Sequence, residues 1–202
     1  MIVSYNKAHV GDVLLVQLTT EAIVKTELEK HGDLVLLKEG ATSEVKGFNL
    51  FNASNYLTIE EVGNIEVTKE LVAQLEEAIV KNGVALSLDV DLSPKFVVGH
   101  VKEVGEHPNA DKLHICQVDV GEDEPLQIVC GAPNVAEGQH VVVAKIGAVM
   151  PSGMVIKESA LRGVDSYGMM CSARELAIPN APQVRGIMVL DNDTEVGSAF
   201  KF

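Results

Sequence analysis

The sequence predicts an α+β N-terminal domain at residues 1–90, followed by an all-β barrel at residues 95–202. Three observations predict this arrangement. The first part combines apolar runs with one amphipathic helix, and the second part holds about five short strand-like segments separated by Gly and Pro. Between them, DVDLSPK at 89–95 combines acidic residues, Ser and Pro, which is typical of a boundary between domains.

The N-terminal part contains several strand-like segments. An apolar run follows a turn signal at 11–18, which favours a buried strand. The segments at 21–28 and 34–38 flank the turn cluster KHGD, so we expect two strands joined by a tight connection. A further strand is predicted at 47–54.

One helix is predicted at 68–82. Thr68 is a suitable N-cap, and Gly83 follows as a stop signal. An apolar stripe with i, i+4 and i+8 spacing lies on one face, formed by Leu71, Leu75 and Ile79. A stripe of this kind is typical of a face that packs on a core.

The second part reads as almost entirely β. Apolar or alternating segments occur at 96–104, 113–120, 126–130, 140–146, 166–173 and 186–190. Gly99 offers a bend of the kind that a small barrel needs. The number and length of these predicted strands fit a small closed or nearly closed barrel, although their periodicity alone also fits a fragment of a β-sandwich.

Three motifs go beyond strand pattern: HPNADKLHICQVDVG at 107–121, QIVCGAPNV at 127–135 and LRGVDSYGMMCS at 161–172. In this order and spacing they resemble the tRNA-binding domain family, over roughly residues 95–195. That family includes the insert near the N-terminus of the phenylalanyl-tRNA synthetase β subunit and the EMAP-II-like proteins. The two-part layout resembles the free-standing YtpR-type members.

The resemblance implies an OB-fold barrel that binds tRNA by its backbone and shape and catalyses no reaction. OB folds bind nucleic acid through one strand face and the loops joining strands 1–2 and 4–5. Here these loops are EHPNAD and the long segment 144–164. The resemblance also implies a possible synthetase partner and a homodimer.

The candidate RNA contacts are cations and hydrogen-bonding side chains near these loops, namely Lys112, Asn134, Lys145, Lys157, Arg162, Ser166 and Arg174. Lys and Arg reach phosphates, and Arg also stacks on unpaired bases. Each cation alone is more typical of a solvated surface charge than of an RNA contact, so only their convergence on one face favours binding. For Asn134, capping and base contact remain equal alternatives.

The charge of the chain opposes this function. Its net charge is −13, and residues 95–202 hold nine Lys and Arg against fourteen Asp and Glu. Phosphate contacts dominate nucleic-acid affinity, so RNA binding requires a local basic patch. The alternative is a protein-interaction, assembly or chaperone-like module. Aromatic residues are only 4% with no Trp, which favours recognition of a folded RNA over stacking on a single strand.

Enzymatic, metal and cofactor sites are not predicted. His107, His114 and Cys116 match no zinc spacing, and Cys130 in CGAPN lacks a recognisable base. The odd number of three cysteines argues against a disulfide framework. With no signal peptide or membrane-length apolar run, we expect a cytoplasmic protein without a membrane segment.

Overall fold

All 202 residues are described by the computed structural model, in which the chain forms two units, Met1–Ser93 and Pro94–Phe202. The first unit is an antiparallel sheet with one helix, and the second is a nearly closed antiparallel barrel. The predicted fold class, α+β followed by an all-β barrel consistent with the OB fold, is confirmed.

The first unit holds a six-stranded sheet in the order β3-β4-β5-β2-β1-β6, with every neighbouring pair antiparallel. Its strands are β1 Ile2–Tyr5, β2 Val13–Gln17, β3 Thr26–His31, β4 Leu34–Glu39, β5 Val45–Phe51 and β6 Gly63–Ile65. A 3₁₀ turn covers Ala53–Asn55, and helix α1 covers Lys69–Lys81.

Helix α1 forms as predicted and packs into the core of the first unit. The Thr68 hydroxyl accepts a hydrogen bond from the Leu71 backbone N–H at 3.2 Å, which satisfies one of the free donors of the first turn. Leu75 and Ile79 are fully buried in one cluster with Phe48 of the sheet. The predicted apolar stripe is therefore a core face.

Two differences from the predicted strands have clear physical reasons. The strand expected at 21–28 begins only at Thr26, because its partner β4 ends at Glu39, the residue opposite Thr26. The inner strand β1 and the edge strand β6 were not predicted, since four and three residues are too few to show periodicity.

The second unit holds a five-stranded sheet in the order β13-β10-β7-β8-β9, with β14 also paired to β10. A separate hairpin is formed by β11 and β12. The strands are β7 Phe96–Glu106, β8 His114–Asp119, β9 Leu126–Cys130, β10 His140–Lys145, β11 Ser159–Leu161, β12 Val164–Ser166, β13 Gly168–Met170 and β14 Val189–Leu190.

The barrel closes where β9 meets the segment between β12 and β13. The Tyr167 N–H donates to the Gln127 carbonyl at 2.9 Å, and the Val129 N–H donates to the Ser166 hydroxyl at 3.1 Å. Inside, Gly99 allows close packing, because a Cβ there would lie 2.6 Å from the Val143 side chain. The interior is therefore narrow and filled by side chains.

Candidate nucleic-acid interface

The antiparallel topology brings several loops to one end of the barrel. Residues 107–113 join β7 to β8, and β9 runs back so that Cys130 lies opposite His114. The chain after Cys130 therefore lies beside the 107–113 loop, and an ideal Cβ on Gly131 would lie 3.7 Å from the Lys112 carbonyl oxygen. The Arg185 guanidinium donates to the Gly131 carbonyl at 2.9 Å, which brings a third segment to the same place.

A buried histidine fastens this loop to the β11–β12 hairpin. His107 is 7% exposed; its Nδ1 accepts from the Asn109 N–H at 3.1 Å, and its Nε2 lies 2.9 Å from the Leu161 carbonyl oxygen. A backbone N–H on Nδ1 and a carbonyl at Nε2 fit a neutral imidazole with its proton on Nε2. The Asn109 amide adds a bond to the Arg162 carbonyl at 3.2 Å.

The hairpin presents Arg162 at its tip. Arg162 and Gly163 have φ of 50° and 86°, and both positive values match a two-residue type I′ turn. The backbone of Arg162 is held by Asn109, while its side chain is exposed and has no acidic partner. The main chain of Arg162 is thus fixed at the hairpin tip, while its guanidinium stays in solvent.

A cleft of about 400 Å³ lies at the same end, between the chain after β9 and the chain after β13. Arg174 and Arg185 line it, with apolar surface from Ala132, Met169 and Met170. The third charged lining residue is Glu175. Its carboxylate accepts from both the N–H and the hydroxyl of Ser172, at 2.8 and 2.6 Å.

Ser172 and Glu175 form a capping box around a single helical turn. The Glu175 N–H donates back to the Ser172 hydroxyl at 3.3 Å, which completes the reciprocal pair. Arg174 lies between these two residues and is exposed, so the capping box holds its backbone and leaves its side chain free. We call the end of the barrel that carries Lys112, Arg162, Arg174 and Arg185 the cationic end. The same end also carries three exposed acidic residues, Glu106, Asp111 and Glu175, so its cations are in excess by one.

The opposite end of the barrel is acidic. It carries the β8–β9 turn, with Glu122, Asp123 and Glu124. Lys145, at the end of β10, forms an ion pair with Glu122 at 2.7 Å, and only 12% of its side chain is exposed. We call this the acidic end. Its only predicted RNA contact, Lys145, is already paired with a carboxylate.

The structure brings together three of the seven predicted contact residues, Lys112, Arg162 and Arg174, and the sequence analysis missed Arg185. Ser166 is 2% exposed, because its hydroxyl accepts from Val129 and donates to the Gly168 carbonyl inside the barrel wall. Lys157 is exposed but follows Ile156, whose backbone pairs with Ala148 beyond β10.

Both the nitrogen and the oxygen of the Asn134 side-chain amide form hydrogen bonds with the backbone of Ile187. Its Nδ2 donates to the Ile187 carbonyl at 3.0 Å, and its Oδ1 accepts from the Ile187 N–H at 2.9 Å. These two bonds fix the segment that carries Arg185. Of the two alternatives open for Asn134, the geometry favours the one in which it holds a loop.

The cysteine thiols are poorly suited to nucleophilic chemistry. All three are buried, and burial raises the pKa of Cys116 and of Cys171 to about 12. Burial also raises the pKa of Cys130, the residue that resembled a nucleophile in a turn. The reactive form of cysteine is the thiolate, so these residues act as small apolar core residues.

No group of three or more His, Cys, Asp or Glu side chains is arranged to hold a metal ion. No helix is long and apolar enough to cross a membrane.

Residues 96–199 match the family described as "Putative tRNA binding domain", and residues 22–91 match a domain of unknown function, DUF4479. The chain is 57% identical over 198 residues to the "Putative tRNA-binding protein YtpR" of Bacillus subtilis, which covers 98% of each chain. The resemblance predicted from the three motifs is confirmed.

The chain also matches phenylalanine–tRNA ligase β subunits. It is 48% identical over 132 residues to the subunit of Halalkalibacterium halodurans, covering 62% of this chain and 16% of that one. For Staphylococcus epidermidis the identity is 54% over 110 residues, covering 53% and 14%. The chain thus corresponds to a small part of these ligase subunits and to nearly all of the Bacillus protein.

Proposed function

The chain belongs to the tRNA-binding domain family, and from this premise we propose that it binds tRNA through the cationic end of its barrel and catalyses no reaction. The observation that carries the proposal is the grouping of four basic side chains on loops that hydrogen bonds fasten together. Each of the loops at 107–109, 131–134 and 161–162 is tied to another segment at this end.

The proposed contact set is Lys112, Arg162, Arg174 and Arg185. Lys157 remains a proposed peripheral contact, because it is exposed and its neighbour Ile156 pairs with Ala148 beyond β10. We place Lys145 and Ser166 outside the set, since one is paired with Glu122 and the other is buried. Asn134 supports the set by positioning the segment of Arg185.

The proposed mode of recognition is contact with the sugar–phosphate surface of a folded RNA. The chain has no Trp, and no aromatic ring lines the cleft of the cationic end, so a stacking platform for a long single strand is missing there. Arginine and lysine reach phosphates without reading sequence. Such binding weakens steeply as the salt concentration rises.

The net charge of −13 is compatible with this proposal because, at the cationic end, Lys112, Arg162, Arg174 and Arg185 outnumber the acidic residues Glu106, Asp111 and Glu175. Fields near a surface depend on the local arrangement of charge, and salt screens contributions beyond about 8–10 Å. The acidic end repels the polyanion while the cationic end attracts it. The acidity of the rest of the chain then favours an approach in which tRNA meets the cationic end. We propose that this binding takes place in the cytoplasm.

Binding of the full chain to bulk tRNA across a salt series tests the proposal. We expect a dissociation constant that rises log-linearly with salt, with a slope of about 0.7–0.9 per phosphate contact. Four cations in contact with phosphates therefore give a slope of about 3 to 4. Absence of binding at low salt, or binding that ignores salt, contradicts the proposal.

A second proposed function is a contact with protein, either a second copy of this chain or a synthetase. The edge strand β3 favours it, because β3 has a free side and is exposed along most of its length. Leu28 in this strand is 68% exposed, and Val24 just before it is 94% exposed. Free edges and exposed apolar residues are typical of interaction sites.

Sedimentation velocity of the wild type and of Leu28→Lys tests the second function. A dimer that dissociates on this substitution supports self-association through β3. A monomer at all concentrations leaves the synthetase as the partner to test, by adding a purified phenylalanine–tRNA ligase. No association in either experiment contradicts the second function.

A further inference from the structure

We infer that the cleft of the cationic end holds one unpaired nucleotide of the bound RNA, with its base against Ala132, Met169 and Met170 and its phosphates at Arg174 and Arg185. This inference rests on the proposed function and makes it more specific. It assigns to the cleft a ligand class, an RNA nucleotide that lies outside a helical stack.

The size of the cleft favours a single nucleotide. Small-molecule sites have volumes of about 300–1,000 Å³, and the cleft, at about 400 Å³, lies near the lower limit. A paired duplex cannot enter such a space, whereas one base with its sugar can. Enzymes that take a base out of a stack also bind the single flipped nucleotide in a closely fitting pocket.

The lining of the cleft divides into an apolar part and a charged part. Met169 is partly exposed and offers polarisable thioether surface to an aromatic ring, whereas Met170, at 5% exposed, packs in the barrel core and contributes only a small part of the lining. Ala132 lies in the cleft lining without adding bulk. Because guanidinium planes stack on bases, the absence of an aromatic residue here does not prevent a base from binding.

The charged part suits phosphate. Arg185 uses one N–H on the Gly131 carbonyl, which fixes the guanidinium and leaves its other donors available. Arg174 is exposed on the capped turn. The Glu175 carboxylate accepts from the Ser172 N–H and hydroxyl through Oε2 and keeps its negative charge, so the cleft has two cations and one carboxylate, a net charge of +1.

A cleft in the first unit provides an internal comparison. It has a similar volume, about 360 Å³, and is lined by Tyr5, Lys7, Leu57, Glu60 and Glu61 among others. Its single cation, Lys7, lies 3.8 Å from the Asp12 carboxylate. With two glutamates and a paired lysine, this cleft repels phosphate. The difference between the two clefts is one of charge and not of size.

The test compares two RNA hairpins with the same stem, one of which carries a single unpaired nucleotide as a bulge. Affinities are measured for the full-length wild type, for Ala132→Phe, which fills the cleft without changing charge, and for Ala136→Phe. Ala136 is exposed in the next part of the loop and is outside the cleft lining, so it is the matched control.

We expect the wild type and Ala136→Phe to prefer the bulged hairpin by about tenfold. Ala132→Phe is expected to lose this preference and to bind the paired hairpin within about twofold of the wild type. Equal binding of both hairpins by the wild type overturns the inference and leaves the proposed function intact. Binding of neither hairpin and of no tRNA overturns the proposed function itself.

A second measurement covers the case in which Ala132→Phe fails to fold. The bulged nucleotide is replaced by 4-thiouridine, and the wild-type complex is cross-linked with light and analysed by mass spectrometry. We expect the cross-link in the segments 129–132, 169–175 or 185–187. A cross-link confined to other segments, or none above the level of a fully paired probe, overturns the inference.

Discussion

The loops at the two ends of the barrel are held in place by different kinds of contact. At the acidic end the backbone packs against itself and the cation Lys145 is paired, with Gly121 so close to Gly197 that no side chain fits between them. At the cationic end the backbone is held by hydrogen bonds from His107, Asn109 and Asn134, while Lys112, Arg162 and Arg174 are exposed and Arg185 donates one N–H to the Gly131 carbonyl.

This difference shows that exposed cationic side chains and a closely packed backbone can coexist within one small barrel. One end closes the fold by close backbone contact, and the other end holds its loops by side-chain hydrogen bonds that leave the charges exposed. Substitutions at the two ends should therefore separate stability from RNA affinity.

The largest expected effect is on stability, at the acidic end. Gly121 has φ of 77°, and an added Cβ would lie 2.8 Å from Gly197 Cα. Gly121→Ala should lower the free energy of unfolding by about 3 kcal/mol, from backbone strain and overpacking together. Gly138→Ala is the matched control, because Gly138 has φ of 80° with open space around it.

Gly138→Ala should destabilise by only about 1–2 kcal/mol, the contribution of the positive φ alone. Urea denaturation of both variants measures the difference. Equal losses would show that the contact between Gly121 and Gly197 does not constrain the acidic end. Neither variant should change tRNA affinity once it is folded.

The next effect is on affinity, at the cationic end. Lys112→Glu should weaken tRNA binding about tenfold and lower the salt slope by about 1, because it removes one phosphate contact and adds a repulsive charge. Lys201→Glu makes the same charge change on an exposed residue next to Phe200, which pairs with Phe96 at the start of β7, away from the cationic end.

Lys201→Glu should change the affinity by less than about twofold, within the range expected of a screened surface charge. Binding measured at two salt concentrations compares the pair. If both substitutions weaken tRNA binding equally, the affinity depends on the net charge of the protein and not on the cationic end.

A smaller effect on affinity should come with a gain in stability. Arg162→Asn removes the charge at the tip of the hairpin and places Asn-Gly in a type I′ turn, the favoured sequence for that turn. We expect binding to weaken about threefold while the melting temperature stays equal or rises. A fall in both quantities would show that the arginine side chain supports the hairpin and that its loss is structural.

The smallest effect is expected for Lys145→Met. The pair with Glu122 is partly covered, and ion pairs near a surface contribute about 0–1 kcal/mol. Binding of tRNA should remain within about twofold of the wild type. A loss comparable to that of Lys112→Glu would extend the RNA contact to the acidic end and remove the distinction between the two ends.

Pattern in the sequence predicted most of the fold. Strands such as β9 at Leu126–Cys130 and β10 at His140–Lys145 follow from alternation or from buried apolar runs, and α1 follows from its stripe and cap. The β11–β12 hairpin was missed, because two strands of three residues leave no period to detect. Its turn could have been recognised only by the glycine that follows Arg162.

The site was harder to predict, because its residues meet through pairing across the chain. Lys145 and Glu122 are 23 residues apart, so sequence alone does not show that the carboxylate of Glu122 neutralises the charge of Lys145. Ser166 lies in a motif, but its burial could not be predicted, because strand β12 has only three residues and shows too little alternation of buried and exposed positions. Arg185 belongs to no motif, and the Arg-Gly step before a predicted strand was its only signal.

The fastening of the 107–113 loop to the hairpin has a consequence for the entropy of binding. His107 and Asn109 hold the carbonyls of Leu161 and Arg162, so the loop and the tip move as one body before any ligand arrives. A ligand that contacts Lys112 and Arg162 together then meets a preorganised backbone, and binding orders mainly the two exposed side chains. Amide hydrogen exchange in these segments should already be slow in the free protein and change little when RNA binds.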